Sequence, residues 1–132
     1  EMCIRDSLYN DFENYINHRN NTSTTRKEDL THRFYTLMMD NYREHKEVIF
    51  YADKLHVSSK YLSEVVKETS GKSPKDWIID YSLLEIKELL KNSSLNIQEI
   101  TIRTKFLNQS ALGRFFKRHT NMSPSEYRES TY

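Results

Sequence analysis

The chain has very few residues that interrupt a helix. Only two glycines and two prolines occur among its 132 residues, whereas 30% of the residues are charged. Few chain breakers and many charged side chains favour long solvated helices over β-sheet. A chain of this length has room for one or two small domains. The composition therefore predicts an all-α protein.

Features of secreted and membrane proteins are also missing from the sequence. Cys3 is the single cysteine, which excludes an internal disulfide and fits a reducing compartment. No apolar run approaches the roughly 18 residues that a transmembrane helix needs, and no charged-then-apolar leader is seen. These absences predict a cytoplasmic protein that makes no membrane contact.

The common signatures of catalysis and metal binding are absent as well. The five histidines do not have the spacing of a zinc site. The sequence contains no glycine-rich phosphate loop and no nucleophile motif. We therefore predict no metal and no cofactor, and an enzyme has no support beyond the many titratable side chains.

One helical stretch occurs twice, fifty positions apart. The first copy is 57–78 (VSSKYLSEVVKETSGKSPKDWI) and the second is 106–128 (FLNQSALGRFFKRHTNMSPSEYR). The matched pairs are Leu62 with Leu112, Val66 with Phe116, Lys67 with Lys117, Ser73 with Ser123, Pro74 with Pro124, Asp76 with Glu126 and Trp77 with Tyr127. A duplicated helical unit with a polar, basic outer face suggests two copies of one binding device.

Capping residues and apolar periodicity predict about seven helices after residue 25, preceded by an N-terminal helical fragment. A Thr-x-x-Glu capping box at Thr25 opens the first of the seven. Its apolar stripe is Leu30, Phe34, Leu37, Met38 and Tyr42, and it is expected to end near His45. The further predicted helices are 50–56, 59–69, 74–91, one capped by Asn96, 108–119 and a short one after Ser123.

These helices group into two helix-turn-helix subdomains, at about 48–71 and 97–120, joined by the long helix 74–91. Such a motif needs an apolar inner face, a tight turn and a small, polar or basic outer face that can reach DNA bases and phosphates. The residues expected to point inward are Tyr61, Leu62, Val65 and Val66 in the first unit and Leu112, Phe115 and Phe116 in the second. Trp77 and Tyr127 are expected to pack beneath the two copies.

The outward residues of the second helix in each unit are the candidate DNA contacts, since Gln and Arg suit bidentate contacts to adenine and guanine. Gly113 has no side chain, which would permit close approach to the groove wall. The candidate base contacts are Ser59, Lys60, Ser63, Glu64, Gln109, Ser110, Gly113 and Arg114. The candidate phosphate contacts are Lys67, Asn108, Lys117, Arg118 and His119.

The length of the connecting helix bears on how double-stranded DNA would be read. Seventeen or so residues at about 1.5 Å each span roughly 25 Å. Adding the radii of the flanking bodies brings the two outer helices near the roughly 34 Å of one DNA turn. One chain could then read two successive major grooves on one face of the duplex.

The second copy carries a longer signature. It consists of Ile100-Thr101, Phe106, Asn108-Gln109-Ser110, Arg114, Phe116-Lys117, Ser123-Pro124 and Tyr127-Arg128. With this signature, about 30–128 resembles the C-terminal DNA-binding domain of AraC/XylS-type transcription regulators. The resemblance implies a sequence-specific bacterial regulator, usually an activator that also touches RNA polymerase. It also implies an upstream effector-sensing or dimerising domain, through which the protein would form a homodimer.

Four positions depart from the family pattern. Thr101 stands where Ala is usual, Leu112 where Phe is usual, and Lys105 and Asn121 where Gly is usual. Asn tolerates a left-handed backbone, whereas Lys105 is expected to strain its turn.

The two ends of the chain have separate interpretations. Residues 1–7 (EMCIRDS) look like the translation of a transposon-type sequencing adapter, and we expect them to be non-native. Residues 8–25 are interpreted as a helical remnant and linker from an upstream domain, with helix over 8–19 and a polar break after it. Residues 26–132 are then the DNA-binding domain.

The charge distribution leaves an alternative open. Residues 1–96 carry 14 Lys/Arg and 16 Asp/Glu, whereas residues 97–132 carry six and three. The basic surplus therefore lies in the second unit, and Glu64 would face the phosphates from the first. An all-helical protein-interaction module without DNA binding is the alternative. Absence of a shift with random duplex at low salt would distinguish that module from a DNA reader.

Overall fold

In the computed structural model, residues 25–131 are described, and within them the chain forms seven α-helices and no strand. The helices are α1 (Arg26–Asn41), α2 (Val48–Lys54), α3 (Ser59–Ser70), α4 (Pro74–Asn92), α5 (Ile97–Arg103), α6 (Gln109–Thr120) and α7 (Pro124–Glu129). The all-α prediction is confirmed for this range. The interpretations of residues 1–7 and of 8–24 lie outside the described residues.

The chain divides into two compact units, with the boundary inside α4 between Tyr81 and Ser82. In the first unit, α1 packs against α3, and α2 contacts both. The rings of Phe34 in α1 and Tyr51 in α2 pack in a T-shaped arrangement at a centroid distance of 5.5 Å. The core of this unit is completed by Met38, Ala52, Leu62, Val65, Val66, Trp77, Ile78 and Tyr81. Trp77 is buried, as expected from its place in the repeat.

The core of the second unit is smaller. Leu112 and Phe116 of α6 are fully buried, as is Ile100 of α5. The Phe116 ring lies 5.4 Å from the ring of Tyr127, in a T-shaped arrangement. Tyr127 is half-buried rather than fully enclosed, and this partial burial raises the pKa of its hydroxyl.

A reciprocal set of hydrogen bonds fastens α7 to the end of α4. The Arg128 guanidinium donates to the carbonyls of Leu90 at 2.9 Å and Leu89 at 3.3 Å. In return, Lys91 Nζ donates to the carbonyl of Ser130 at 2.5 Å and lies 4.9 Å from the centroid of the Tyr127 ring. Because the last carbonyls of a helix have no partner within it, these donors satisfy groups that would otherwise need water.

The predicted capping residues begin the helices as expected. Thr25 and Glu28 form a complete capping box on α1, as Asn96 and Glu99 do on α5. Ser123 and Glu126 form a third box at α7. The hydrogen bond from the Ser123 backbone N–H to its carboxylate holds the pKa of Glu126 below its ordinary value.

Two expectations about helix ends are corrected. Helix α1 ends at Asn41 rather than near His45, because the Asn41 amide donates to the Leu37 carbonyl and competes with the helical backbone. Helix α2 covers Val48–Lys54 rather than 50–56, because His56 has a φ of 59°, which a right-handed helix does not allow.

Two aromatic side chains expected to point inward lie at the edge of the core instead. Tyr61 is 41% exposed. At about 100° per residue, it lies roughly 90° from the centre of the stripe formed by Leu62, Val65 and Val66. Phe115 is half-buried, and its ring lies 5.1 Å from that of Phe106.

The repeat extends to hydrogen bonds that the sequence comparison did not anticipate. Ser70 Oγ donates to the Val66 carbonyl at 2.6 Å and contacts the Lys72 carbonyl at 3.2 Å. Fifty positions later, Thr120 Oγ1 makes the same two contacts, to Phe116 at 2.8 Å and Met122 at 3.2 Å. The two pairs of bonds close the ends of α3 and α6, each just before the left-handed residue that follows the helix.

The turns of the two helix-turn-helix units differ by one residue. His56 and Val57 in the first turn make the same backbone hydrogen bonds as Lys105 and Phe106 in the second. Ser58 then caps α3, whereas Asn108 caps α6, so the extra residue is Leu107. Leu107 is 91% exposed. The turn of the second unit is therefore one residue longer than that of the first.

The backbone at Lys105 is left-handed, with a φ of 64°. This confirms the expected strain, since side chains other than Gly and Asn adopt this conformation at a cost of about 1 kcal/mol. We therefore expect Lys105→Gly to raise the free energy of unfolding by about 0.5–1 kcal/mol, as measured by urea denaturation.

Two variants serve as controls for this stabilisation. Lys105→Ala removes the same charge but keeps the Cβ, so it should give no comparable gain. Asn121→Gly acts at a residue of the same φ, 64°, that already tolerates the conformation, so its gain should be smaller. Equal stabilisation by Lys105→Gly and Lys105→Ala would show that charge, rather than backbone strain, is responsible.

Candidate nucleic-acid interface

Helix α6 presents a continuous polar and basic surface. Gln109, Ser110 and Arg114 are exposed on its first two turns, and Gly113 beside them is half-buried. At the end of the helix, the exposed residues are Lys117, Arg118 and His119. The predicted contacts on α6 therefore all reach the surface, whereas Leu112 and Phe116 anchor the opposite face in the core.

The electrostatics of α6 favour an anionic partner. The helix carries Arg114, Lys117 and Arg118 and contains no acidic residue. Within residues 25–131, Arg114 and Arg118 have neither an ion-pair nor a hydrogen-bond partner. A row of unpaired cations on one helix face is the electrostatic pattern expected of a surface that meets phosphates.

Helix α3 has a more mixed outer face. Lys60, Glu64 and Lys67 are exposed, as predicted, whereas Ser59 and Ser63 are half-buried. Its two lysines are balanced by Glu64 and Glu68. Lys27 of α1 pairs with Glu68 at 3.3 Å, which leaves Glu64 as the acid facing outward between the two lysines.

An N-cap fixes the first residue of α3 and of α6. Ser58 Oγ accepts from the Tyr61 backbone N–H at 3.0 Å in the first unit. In the second, Asn108 Oδ1 accepts from the Ala111 N–H at 2.8 Å. This bond fixes the orientation of the Asn108 side chain and leaves its amide nitrogen, which is its only donor, available to a phosphate.

Gly113 is not required by the packing of the protein itself. A Cβ built at this position would meet nothing within 4 Å. Gly in a helix interior costs about 0.5–1 kcal/mol relative to Ala. No contact within the described part of the chain therefore requires a residue as small as glycine here. This is compatible with the predicted close approach of an external surface.

One contact within the second unit was not foreseen from the sequence. Gln109 Nε2 donates to Gln98 Oε1 of α5 at 2.7 Å. Both side chains are exposed. The pair therefore joins the two helices of the motif on its outer surface, and the residue types alone gave no signal for it.

No group of His, Cys, Asp or Glu within residues 25–131 is arranged to hold a metal ion. None of the helices in the same range is long and apolar enough to cross a bilayer.

Two helix-turn-helix motifs, each with a buried inner face and a polar second helix, define the class of this domain. Comparison with known proteins identifies the family. A family model described as a helix-turn-helix domain matches residues 51–130. The chain belongs to this helix-turn-helix family, that of the AraC/XylS-type transcription regulators.

Several characterised and uncharacterised regulators are similar in sequence. An uncharacterized HTH-type transcriptional regulator of Escherichia coli (strain K12), YdiP, is 28% identical over 118 residues, which is 89% of this chain and 39% of that protein. The lactose operon transcription activator of Staphylococcus xylosus is 26% identical over 76% of this chain and 36% of that protein. The chain therefore spans well under half the length of these relatives.

Solved structures share the fold. The C-terminal domain of AraT, a response regulator from Geobacillus stearothermophilus, superposes with a TM-score of 0.70 at 25% identity, covering 82% of this chain and 93% of that one. The DNA-binding domain of AdpA, solved in complex with a target DNA, gives a TM-score of 0.64 at 23% identity, covering 74% and 88%. The prediction of an AraC/XylS-type double helix-turn-helix fold is confirmed.

Proposed function

We propose that residues 26–132 form the DNA-binding domain of a sequence-specific transcription regulator, and that α3 and α6 read two successive major grooves of one duplex. The observation that carries the proposal is the exposed face of α6, with three cations, no acid and a buried anchor on the opposite side. The second helix of a helix-turn-helix is the element that enters the major groove.

The proposed contacts follow from position on the two helices. Base edges would be met by Ser59, Lys60, Ser63, Glu64, Gln109, Ser110, Gly113 and Arg114. Phosphates would be met by Lys67, Asn108, Lys117, Arg118 and His119. Helix α6 supplies the larger share of the binding energy in this proposal, because α3 has no net charge.

Salt dependence of duplex binding is the direct test. With about four cationic contacts, a plot of log affinity against log salt concentration should have a slope of roughly −3 to −4. The affinity should therefore fall about 100-fold between 50 and 200 mM salt. Fluorescence anisotropy with labelled random duplex and with a site selected from random DNA measures both slopes. A chain that binds neither duplex at 50 mM salt would contradict the proposal.

Gly113→Ala separates the surface role of this residue from its effect on folding. We expect the variant to be about 0.5–1 kcal/mol more stable, because Ala is the better helix residue and the added Cβ meets no atom. Its affinity for the selected site should nevertheless fall by about 10-fold, since a close helix–groove approach would be obstructed. Thermal unfolding and anisotropy measure the two effects.

Gly71→Ala is the matched control for this substitution. Gly71 has a φ of 86°, so Ala is strained there and should destabilise the protein by about 1 kcal/mol. Gly71 follows α3 as its C-cap and is not a proposed DNA contact. Unchanged or improved duplex affinity in Gly113→Ala would exclude close approach at that position.

A protein-interaction module is the second candidate, and the outer face of α3 favours it. Tyr61 is 41% exposed beside Glu64, a combination that suits a protein surface better than a phosphate backbone. Random duplex at low salt discriminates between the two functions, because a module of this kind would produce no shift even with nonspecific DNA.

The wider roles of the protein are part of the same proposal. The activator among the relatives supports a role in transcription activation. A contact to RNA polymerase, and a homodimer formed through sequence upstream of this domain, are further parts of the proposal. A DNA-bound regulator of this type would act in the bacterial cytoplasm, at the nucleoid, and would need no catalytic activity.

A further inference from the structure

We infer that Gln98 is a positioning residue that holds the Gln109 amide in the orientation required to select adenine over guanine. The inference rests on the proposed function and adds to it a residue outside the recognition helix. The observation is the hydrogen bond from Gln109 Nε2 to Gln98 Oε1 at 2.7 Å. Gln98 is the second residue of α5, and Gln109 is the first residue of α6.

The place of Gln109 makes its amide orientation important. The first residues of a recognition helix are those that reach base edges in the major groove. Asn108 fixes the start of α6 by accepting a hydrogen bond from the Ala111 N–H at 2.8 Å. Gln109 therefore extends from a capped, well-ordered helix start, and the main freedom left to it is the rotation of its own side chain.

The bond to Gln98 limits what Gln109 can offer a base. A glutamine amide has two N–H donors and one oxygen acceptor. With one N–H given to Gln98, Gln109 keeps one donor and its acceptor, which complement the N7 acceptor and N6 donor of adenine. Guanine presents two acceptors, N7 and O6, and would need both N–H groups of the amide.

Rotating the amide to suit guanine would break the pair. The Gln109 oxygen would then face the Gln98 oxygen, and a new bond would require Gln98 to rotate as well and turn its N–H groups towards Gln109. Both side chains are exposed in the free protein, where water weakens this preference. A bound duplex excludes that water, and the remaining Gln98 N–H groups are left to donate to a phosphate beside the first helix of the motif.

The test compares three variants on a binding site selected from random duplex, using the whole chain. Gln109→Ala identifies the base pair that Gln109 reads. It is the position of the selected site at which this variant loses the preference for adenine. At that position we expect the unmodified chain to prefer adenine to guanine by at least about 10-fold. Gln98→Leu should reduce this preference to about twofold, because the unbraced amide can rotate.

Gln98→Glu is the conservative variant that separates orientation from general weakening. Its carboxylate still accepts from Gln109 Nε2, so the adenine preference should persist. Its overall affinity should drop several-fold and its salt slope should be smaller by about 1, since a phosphate donor has been replaced by an acid. Unchanged melting temperatures of the variants confirm that each is folded.

The double variant completes the experiment. In the Gln109→Ala background, Gln98→Leu should leave base preference unchanged, because its effect acts through Gln109 alone. The inference is overturned if Gln98→Leu keeps the full adenine preference, if Gln98→Glu loses it, or if Gln109→Ala alters no position. In each of these cases the chain would still bind duplex DNA in a salt-dependent way, and the proposed function would be unaffected. If the chain bound no DNA at all, the proposed function would be overturned as well.

Discussion

Replacing Phe116 by alanine is expected to lower the free energy of unfolding of the second unit by about 3–5 kcal/mol. Phe116 is fully buried and packs against the Tyr127 ring at 5.4 Å. Its removal would leave a cavity between α6 and α7 that neighbouring side chains fill only in part. Urea denaturation, followed by circular dichroism, measures the loss.

Phe115 provides the matched control for that cavity. It is the same residue type on the same helix but is only half-buried, at the edge of the core. Phe115→Ala should therefore cost clearly less than Phe116→Ala. If the two substitutions cost the same, the assignment of Phe116 as the anchor of α6 is wrong.

Arg114→Ala is expected to weaken binding to the selected duplex by about 1–3 kcal/mol and to relax the base preference at one position. Arg114 is exposed on α6, and no described residue pairs with its guanidinium. A guanidinium that is free in this way can make a bidentate contact to guanine, which supplies discrimination as well as affinity. Anisotropy titrations against single-base variants of the site measure both.

Arg103→Ala is the charge-matched control for Arg114. Arg103 is also exposed, but it lies at the end of α5 rather than on the outer face of α6. Its loss should reduce affinity modestly and equally for all sequences, by weakening attraction to the phosphates. A footprint of unchanged strength and position with Arg114→Ala would show that this residue does not read the site.

Local signals in the sequence were sufficient to predict most of the helices. Helix starts were predictable because caps act over three residues, as at Thr25, Asn96 and Ser123. The left-handed backbone at Asn121 was predictable because asparagine tolerates this conformation. The fifty-residue repeat then grouped these helices into two motifs, and the comparisons confirm that fold.

Contacts between helices were harder to predict. The hydrogen bonds from Arg128 to the end of α4 and from Lys91 to the end of α7 join residues 38 and 39 positions apart. Likewise, the bond between Gln98 and Gln109 depends on the turn geometry set by Lys105 and the inserted Leu107. Sequence periodicity places a residue on a helix face, but it does not give the partner that tertiary packing brings to that face.

The candidate site is predictable to a similar extent. The sequence indicated which residues of α6 would be exposed, and the structure places all of them at the surface. It did not separate the exposed Lys60 and Glu64 from the half-buried Ser59 and Ser63. At about 100° per residue, the two serines lie closer to the apolar stripe of α3 than Lys60 and Glu64 do. Their contacts to DNA stay predictions.

Hydroxyl-radical footprinting of the whole chain on its selected site tests the two-groove proposal most directly. We expect two protected stretches on one face of the duplex, with centres about one helical turn, 10–10.5 base pairs, apart. Inserting five base pairs between them should abolish simultaneous protection, because the second groove would then face the opposite side. A single protected stretch, or two stretches that tolerate the insertion, would contradict reading of successive grooves by one chain.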